Sequence, residues 1–422
     1  MARCGPVNLA RIAGGKVICS GNLCMANPTN VSRAEPSKPS QAKDEPHDRL
    51  PMRKDKLLIL FLFVLAVGVA VGIQQFQQFY GGASRDGPGG RPDCGPLKPV
   101  KVSQFRGFAL QLQSADPNRP YKKFIDEIAD TGANTVCLVV AAYQENCSST
   151  SIFVDARRSV PDGRLRKLIA HAHARKLRVV LMPIVLLDNP RADEWRGRIN
   201  PDSWDDWWEK YNGYILQYAR IAQQADAEVF VLGSELVSTE KDHAARWRAL
   251  IRRVRNCYKG YLSYSANWDH YRPISWWNDL DIIGMTTYYD LTGGKKPTVS
   301  RLVNSWRPIK REILEWQSKI NRPILFTEVG WPNQVTCAQF PWDYTRSPER
   351  PDPAAQANCF DAFFRTWIRE KAVAGFLVWE WRSHPRQRIG PEDPSYVPCG
   401  KPALEVIKKH YQAPAAATKP AK

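Results

Sequence analysis

Several motifs that would announce a chemistry are missing from this chain. It has no HExxH, no CxxC pair and no Asp-rich calcium loop, so the sequence gives no reason to expect a metal ion. His171 and His173 stand two apart on a helical segment, face different directions and cannot easily share one either. Ten cysteines in 422 residues are too sparse for a small disulfide-stapled scaffold. Collagen-like and coiled-coil patterns are also absent, and 43% hydrophobic with 24% charged residues is the mix of a folded globular protein. Acidic residues are in deficit: 42 Asp+Glu face 60 Lys+Arg, leaving a formal charge of +18. The excess suits anionic envelope polymers or membrane surfaces. Arg246, Arg248, Arg252, Arg253 and Arg255 crowd one helical segment, which reads as a solvated outer face rather than a nucleic-acid contact. Tryptophan is not scarce at all. At 15 it equals Tyr and Phe, and such an excess points to stacking surfaces for flat or ring-shaped ligands.

Long apolar runs are nearly absent too, with one exception. Residues 57–73, LLILFLFVLAVGVAVGI, carry no charge and approach the lower limit of about 17–25 residues for a membrane-spanning helix. Arg49, Arg53, Lys54 and Lys56 precede it, so the positive-inside rule puts residues 1–56 in the cytoplasm and the rest across the membrane. The run reads as a transmembrane or signal-anchor helix; cleavage near Ala70-Val71-Gly72 would make the remainder a secreted protein. Residues 1–56 lack apolar periodicity and read as disordered, and Met52, opening MRKDKLLIL, is an alternative start. Residues 74–104 form a Gly/Pro/Gln-rich linker, and 413–422 a disordered tail. Export makes disulfides permissible. Cys137, inside an apolar strand run, reads as a buried thiol; Cys147, Cys337, Cys359 and Cys399 are the better disulfide candidates.

From 105 to 412 the chain alternates apolar β-rich runs with amphipathic helical segments. Strands are expected at 107–112, 134–142, 178–187, 228–233, 261–266, 281–287, 323–328 and 375–381. Helices are expected at 121–131, 162–176, 204–225, 243–257, 298–319 and 354–370. Near-continuous apolar strands separated by helices mean a parallel sheet covered on its outer face. Eight such units in about 300 residues match a (β/α)₈ TIM barrel. No Gly-rich phosphate loop follows the first strand, which argues against a doubly wound sheet.

In such a barrel the C-terminal strand ends converge on the active site. Strand four ends in Gly233-Ser234-Glu235-Leu236 and strand seven in Thr327-Glu328-Val329-Gly330-Trp331. Around these two carboxylates the other tips supply Tyr143, Asn267, Trp268, Tyr288, Tyr289, Trp379 and Trp381. Glycosidic cleavage needs one carboxyl group to protonate the leaving oxygen and a second on the opposite face of the sugar. Aromatic rings stack on the apolar faces of sugars. The set suits sugar chemistry.

The ordered series of these residues resembles clan A glycosidases and, more closely, glycoside hydrolase family 113, known for β-1,4-mannanases. The likeness runs through Trp195-Arg196-Gly197, Trp204, Trp208, Tyr211, Tyr214-Ile215 and Gly233-Ser234-Glu235-Leu236. It continues in Tyr264-Ser265-Ala266-Asn267-Trp268, Asp281-Ile282-Ile283-Gly284, Tyr288-Tyr289, Thr327-Glu328-Val329-Gly330 and Gly375 to Trp381. The resemblance implies a retaining hydrolase of β-linked polysaccharide or oligosaccharide, most simply an endo-acting β-1,4-mannanase, needing no cofactor and no metal. It makes Glu235 the acid/base, Glu328 the nucleophile, Tyr288 or Tyr289 the group orienting Glu328, and Trp379 the platform under the cleaved sugar. The remaining aromatic and amide residues named above, Trp331 included, become candidate substrate contacts. Repulsion and burial are expected to raise the pKa of Glu235 in the free enzyme. Two positions depart from the pattern. Ser234 stands where much of clan A has Asn, and Ile184 stands where a polar strand-three tip is expected, which weakens mannan specificity more than hydrolysis. Hydrolysis of another β-glycan and a catalytically inert glycan-binding barrel are the alternatives.

Overall fold

The computed structural model describes residue 100, residues 103–343 and residues 350–412. The expected cytoplasmic segment, the apolar run 57–73, nearly all of the linker, Cys94 and the tail 413–422 lie outside the described residues. Among the described residues, no helix is long and apolar enough to cross a membrane.

Eight parallel strands close in chain order into a barrel. They are β1 (Phe105–Gln111), β2 (Thr135–Gln144), β3 (Arg178–Leu187), β4 (Val229–Ser234), β5 (Tyr261–Ala266), β6 (Ile282–Thr286), β7 (Ile324–Val329) and β8 (Val373–Val378). The helices are α1 (Tyr121–Ala129), α2 (Asp162–Ala174), α3 (Trp204–Gln224), the short α4 (Val237–Glu240), α5 (Ala244–Cys257), α6 (Val299–Ile320), α7 (Pro353–Trp367) and α8 (Pro402–Gln412).

Period-two alternation along each strand splits the core into two layers. Ala109, Val139, Val180, Met182, Val231 and Leu325 fill the inside of the barrel. Phe108, Leu138, Leu181, Phe230, Phe326 and Phe376 face outward onto the helices. The strands are buried on both faces, which is why they read as nearly unbroken apolar runs.

Eight regular strand–helix units were expected, and one unit departs from this. Between β5 and β6 the chain carries only a 3₁₀ turn, Trp277–Asp279. Trp276 and Trp277 are fully buried there, and Trp276 stacks on Trp247 of α5 with ring centroids 4.8 Å apart. Two indoles thus cover the stretch of barrel wall that a helix covers elsewhere.

Much of the tryptophan excess serves this outer layer: Trp207, Trp208, Trp247, Trp306 and Trp367 are all buried between helices and barrel. The cysteines also depart from expectation. All six described ones, Cys147, Cys337, Cys359 and Cys399 among them, are free thiols. Cys337 and Cys359 come nearest to pairing, with sulfurs 4.0 Å apart. Of the basic run on α5, Arg246, Arg248 and Arg255 are paired with Asp205, Asp279 and Asp281.

Candidate active site

Strand register is disturbed where the barrel opens. The β4–β5 pairing shifts between Val231 and Ser234, β6–β7 between Met285 and Thr286, and β7–β8 between Phe326 and Val329. Bulges of this kind re-aim side chains at the ends of strands. Glu235 and Glu328 emerge beside them, and both are buried. Glu235 has φ +54, a left-handed backbone that costs a non-glycine residue roughly 1–3 kcal/mol. Strand β5 holds it there from both sides. The Glu235 N–H donates to the Ser265 carbonyl at 2.8 Å, and the next N–H, of Leu236, donates to the Tyr264 hydroxyl at 2.9 Å. Just before it, Gly233 leaves room for the Tyr211 hydroxyl, which would lie 2.2 Å from an added Cβ.

Each carboxylate has its own set of donors. Glu328 receives the Tyr288 hydroxyl at Oε2 (2.8 Å) and the Ser234 hydroxyl at Oε1 (3.3 Å). Glu235 Oε2 receives Arg196 Nη2 at 2.7 Å, and the same nitrogen stands 3.8 Å from Glu328 Oε1. These two legs bound the separation of those carboxylate oxygens at 6.5 Å. Retaining glycosidases keep their carboxyls about 5–5.5 Å apart and inverting ones about 6.5–9.5 Å, so a ceiling of 6.5 Å on this oxygen pair is compatible with the retaining spacing. One guanidinium therefore bridges the pair. Burial alone would lower its pKa, but the two carboxylates, Glu235 the more strongly, hold it above its usual value and keep the charge in place.

Burial pushes the Glu328 carboxyl up to about 8. The Glu235 charge adds to the push, while Arg196, Tyr288 and Ser234 oppose it.

A cleft of about 590 Å³ lies over the two carboxylates, walled by Trp195, Arg196, Asn267, Trp268, Asp269, Tyr288, Trp342, Trp379 and Tyr396. Trp268 and Trp342 stack at 5.9 Å with planes 18° apart on one side. Trp195 fits against Gly197, where an added Cβ would meet its ring at 2.3 Å. Asn267 hydrogen-bonds Asp269 at 3.0 Å.

Of the residues expected from the sequence, Glu235, Glu328, Trp195, Asn267, Trp268, Tyr288 and Trp379 share this cleft. Four others lie outside its wall. Tyr143 reaches the barrel mouth but is capped by the Arg158 guanidinium 3.6 Å above its ring and by a bridge to Phe153. Tyr289 turns outward; its hydroxyl donates to the Trp268 carbonyl at 2.8 Å and its ring packs on Trp306. Trp331 is fully buried against Phe360 and Phe363. Trp381 points away onto Phe108, with its indole N–H on Glu127.

The cleft also holds Arg196, Asp269, Trp342 and Tyr396, to which no role had been given. Arg196 stood in the quoted Trp195-Arg196-Gly197 tract, and that was its only signal. Ile184 is buried inside the barrel, where an apolar side chain fits. Among the described residues, no cluster of His, Cys, Asp and Glu is arranged to hold a metal ion.

The sequence profile of Glycoside Hydrolase Family 113 matches residues 117–401, well over half of the chain. Similar solved structures include the GH113 β-mannanase AaManA from Alicyclobacillus acidocaldarius in complex with ManMIm. It is 27% identical with a TM-score of 0.66, and 74% of this chain and 98% of that one are covered. A second GH113 β-1,4-mannanase structure is also 27% identical, with a TM-score of 0.67 over 74% of this chain and all of that one. An endo-β-1,4-mannanase from Thermotoga petrophila, 11% identical with a TM-score of 0.51 over 76% and 79% of the two chains, shares the fold. No curated protein matches the chain.

Proposed function

The chain belongs to glycoside hydrolase family 113, and from that premise we propose that it is a retaining, endo-acting hydrolase of β-1,4-mannan-type glycans. Glu235 is its acid/base and Glu328 its nucleophile. The observation that carries this reading is the asymmetry of the two carboxylates. Glu328 is gripped by Tyr288 and Ser234, as a nucleophile held in one orientation must be, while the Glu235 carboxylate takes its hydrogen bond among the described residues from Arg196.

In the first half of the reaction Glu328 attacks the anomeric carbon as Glu235 gives its proton to the leaving oxygen, and a glycosyl ester forms. Tyr288 and Arg196 stabilise the charge on Glu328 before attack. Once Glu328 is an ester its negative charge is gone, and Glu235, now ionised, takes a proton from water as the water attacks the same carbon. Free enzyme returns with the product's β-configuration retained. The reaction needs one proton on the pair, and a carboxyl pushed to about 8 supports such a shared proton at neutral pH. Trp379 lies under the cleaved sugar, and the Trp268–Trp342 stack carries a sugar further along the chain.

The similarity to two GH113 β-mannanases, each 27% identical, supports mannan as substrate. Hydrolysis of a panel of β-linked oligosaccharides by the full-length protein tests it. Release of shorter manno-oligosaccharides is expected. Turnover of gluco- or galacto-oligosaccharides alone would keep the mechanism and discard mannan.

The same reading has the barrel outside the cytoplasm, tethered or exported through residues 57–73. The uncharged run and its basic N-terminal flank support this. Digestion of the barrel by protease added to intact cells with the cytoplasmic membrane exposed is expected; complete protection would overturn it.

A further inference from the structure

Behind Glu235 lies a second buried carboxyl that the hydrolysis does not use. Glu240 ends the short α4, five residues after Glu235, and is 1% exposed. Its Oε1 accepts the Tyr264 hydroxyl at 2.7 Å, and its Oε2 has no hydrogen-bond partner among the described residues. The Tyr264 hydroxyl in turn accepts the Leu236 N–H, so a short relay runs from a buried acid through a phenol to the peptide just after Glu235. Trp247 and Trp276 pack edge-on against the Tyr264 ring, and the Trp276 indole donates to the Glu240 carbonyl at 3.0 Å.

We propose that Tyr264 and Glu240 are positioning residues that hold Glu235 in the orientation from which it protonates the leaving oxygen. The inference rests on Glu235 being the acid/base.

Three observations carry it. Glu235 sits in a left-handed conformation that its own side chain does not favour, so surrounding contacts must fix it. The Leu236 N–H is one of the two amides flanking that strained residue, and the Tyr264 hydroxyl is its acceptor. Finally, a buried carboxyl with an unpartnered oxygen is costly, and its place five residues from the proton donor gives that cost a use. Burial pushes Glu240 up to about 8, with the Tyr264 hydrogen bond opposing and Glu235 and Asp269 adding, a shift that favours its neutral form. A neutral acid anchors the phenol without placing a third negative charge beside the catalytic pair.

The brace serves proton donation, so its loss separates substrates by leaving group. An aryl mannoside with a dinitrophenol leaving group needs no acid for the first step, whereas an unactivated manno-oligosaccharide does. In Tyr264→Phe, kcat/KM for the oligosaccharide is expected to fall about 10- to 100-fold, while that for the dinitrophenyl substrate stays within about twofold. Glu240→Gln keeps an oxygen for the Tyr264 hydroxyl and is expected to retain most of the oligosaccharide activity that Glu240→Ala loses. Equal losses on both substrates in Tyr264→Phe, or no loss on either, would overturn the brace. So would Glu240→Gln failing as badly as Glu240→Ala, which would point to a need for charge. Glu235→Ala measured alongside separates the two levels. If it shows no preference for the activated substrate, the acid/base assignment itself fails; if it does and Tyr264→Phe does not, only the brace fails.

Discussion

The Tyr288 hydroxyl donates to Oε2 of Glu328 at 2.8 Å, while its neighbour Tyr289 turns away to the carbonyl of Trp268. A hydrogen bond to a charged group contributes about 1.5–3 kcal/mol. Tyr288→Phe should therefore lower kcat roughly 10- to 100-fold on manno-oligosaccharides, and Tyr289→Phe much less. Steady-state kinetics of the two variants compare them directly; equal losses would contradict the different tasks assigned to the rings.

The raised Glu328 has consequences for pH. A carboxyl whose folded pKa lies above its unfolded value adds stability below the unfolded value, about 4.5, and loses it as pH rises through the folded value, about 8. Glu328→Gln removes that penalty. Its Tm should exceed that of the wild type at pH 9, and the gap should shrink toward pH 5; thermal unfolding across that range reads it. Activity follows the same proton. The wild-type kcat/KM should fall as pH rises past about 8, because the pair then loses the proton that the acid step needs. Arg196→Gln removes a cation that opposes the rise, so its alkaline limb should move to higher pH.

Gly197 is the floor on which the Trp195 ring rests at the cleft edge. In Gly197→Ala the atoms nearest the added Cβ all belong to the Trp195 ring, so the change displaces the indole. A stacking contact of this kind contributes about 0.5–1.5 kcal/mol beyond its area, so KM should rise roughly 3- to 10-fold with kcat little changed. A fall in kcat with KM constant would place Trp195 in a different role.

Trp342 is 43% exposed, an unusual position for a tryptophan, and stacks nearly parallel to Trp268. In Trp342→Ala, kcat/KM should drop about 3- to 10-fold for long manno-oligosaccharides and hardly at all for the shortest one cleaved. A length-independent effect would argue against a sugar platform.

The barrel and its two carboxylates were legible because each has a local signature: unbroken apolar runs for the strands, and Glu235 and Glu328 at the tips of the fourth and seventh. Side-chain direction at the mouth was not. Trp331 lies three residues beyond Glu328, yet past the end of β7 at Val329 it is buried against Phe360 and Phe363. Tyr288 and Tyr289 are adjacent, and only the outward packing of Tyr289 on Trp306 decides which meets Glu328. Arg196 lies in a tract rich in arginine and acid that resembles any solvated loop; its bridge between the two carboxylates depends on contacts 39 residues and more away in sequence. The missing helix between β5 and β6 is replaced by Trp276, stacked on Trp247 of α5, and Trp277, edge-on to Trp316 of α6; their burial comes from these contacts rather than from any periodicity.

The most direct test of the account is Glu328→Ala acting on an aryl β-mannooligoside with and without azide. Without azide, turnover should fall by roughly 10⁴-fold or more while the protein stays folded. With azide, activity should return and the product should be the α-glycosyl azide, because a small anion now attacks from the face Glu328 has vacated. Undiminished turnover without azide, or an azide product of β-configuration, would contradict Glu328 as the nucleophile.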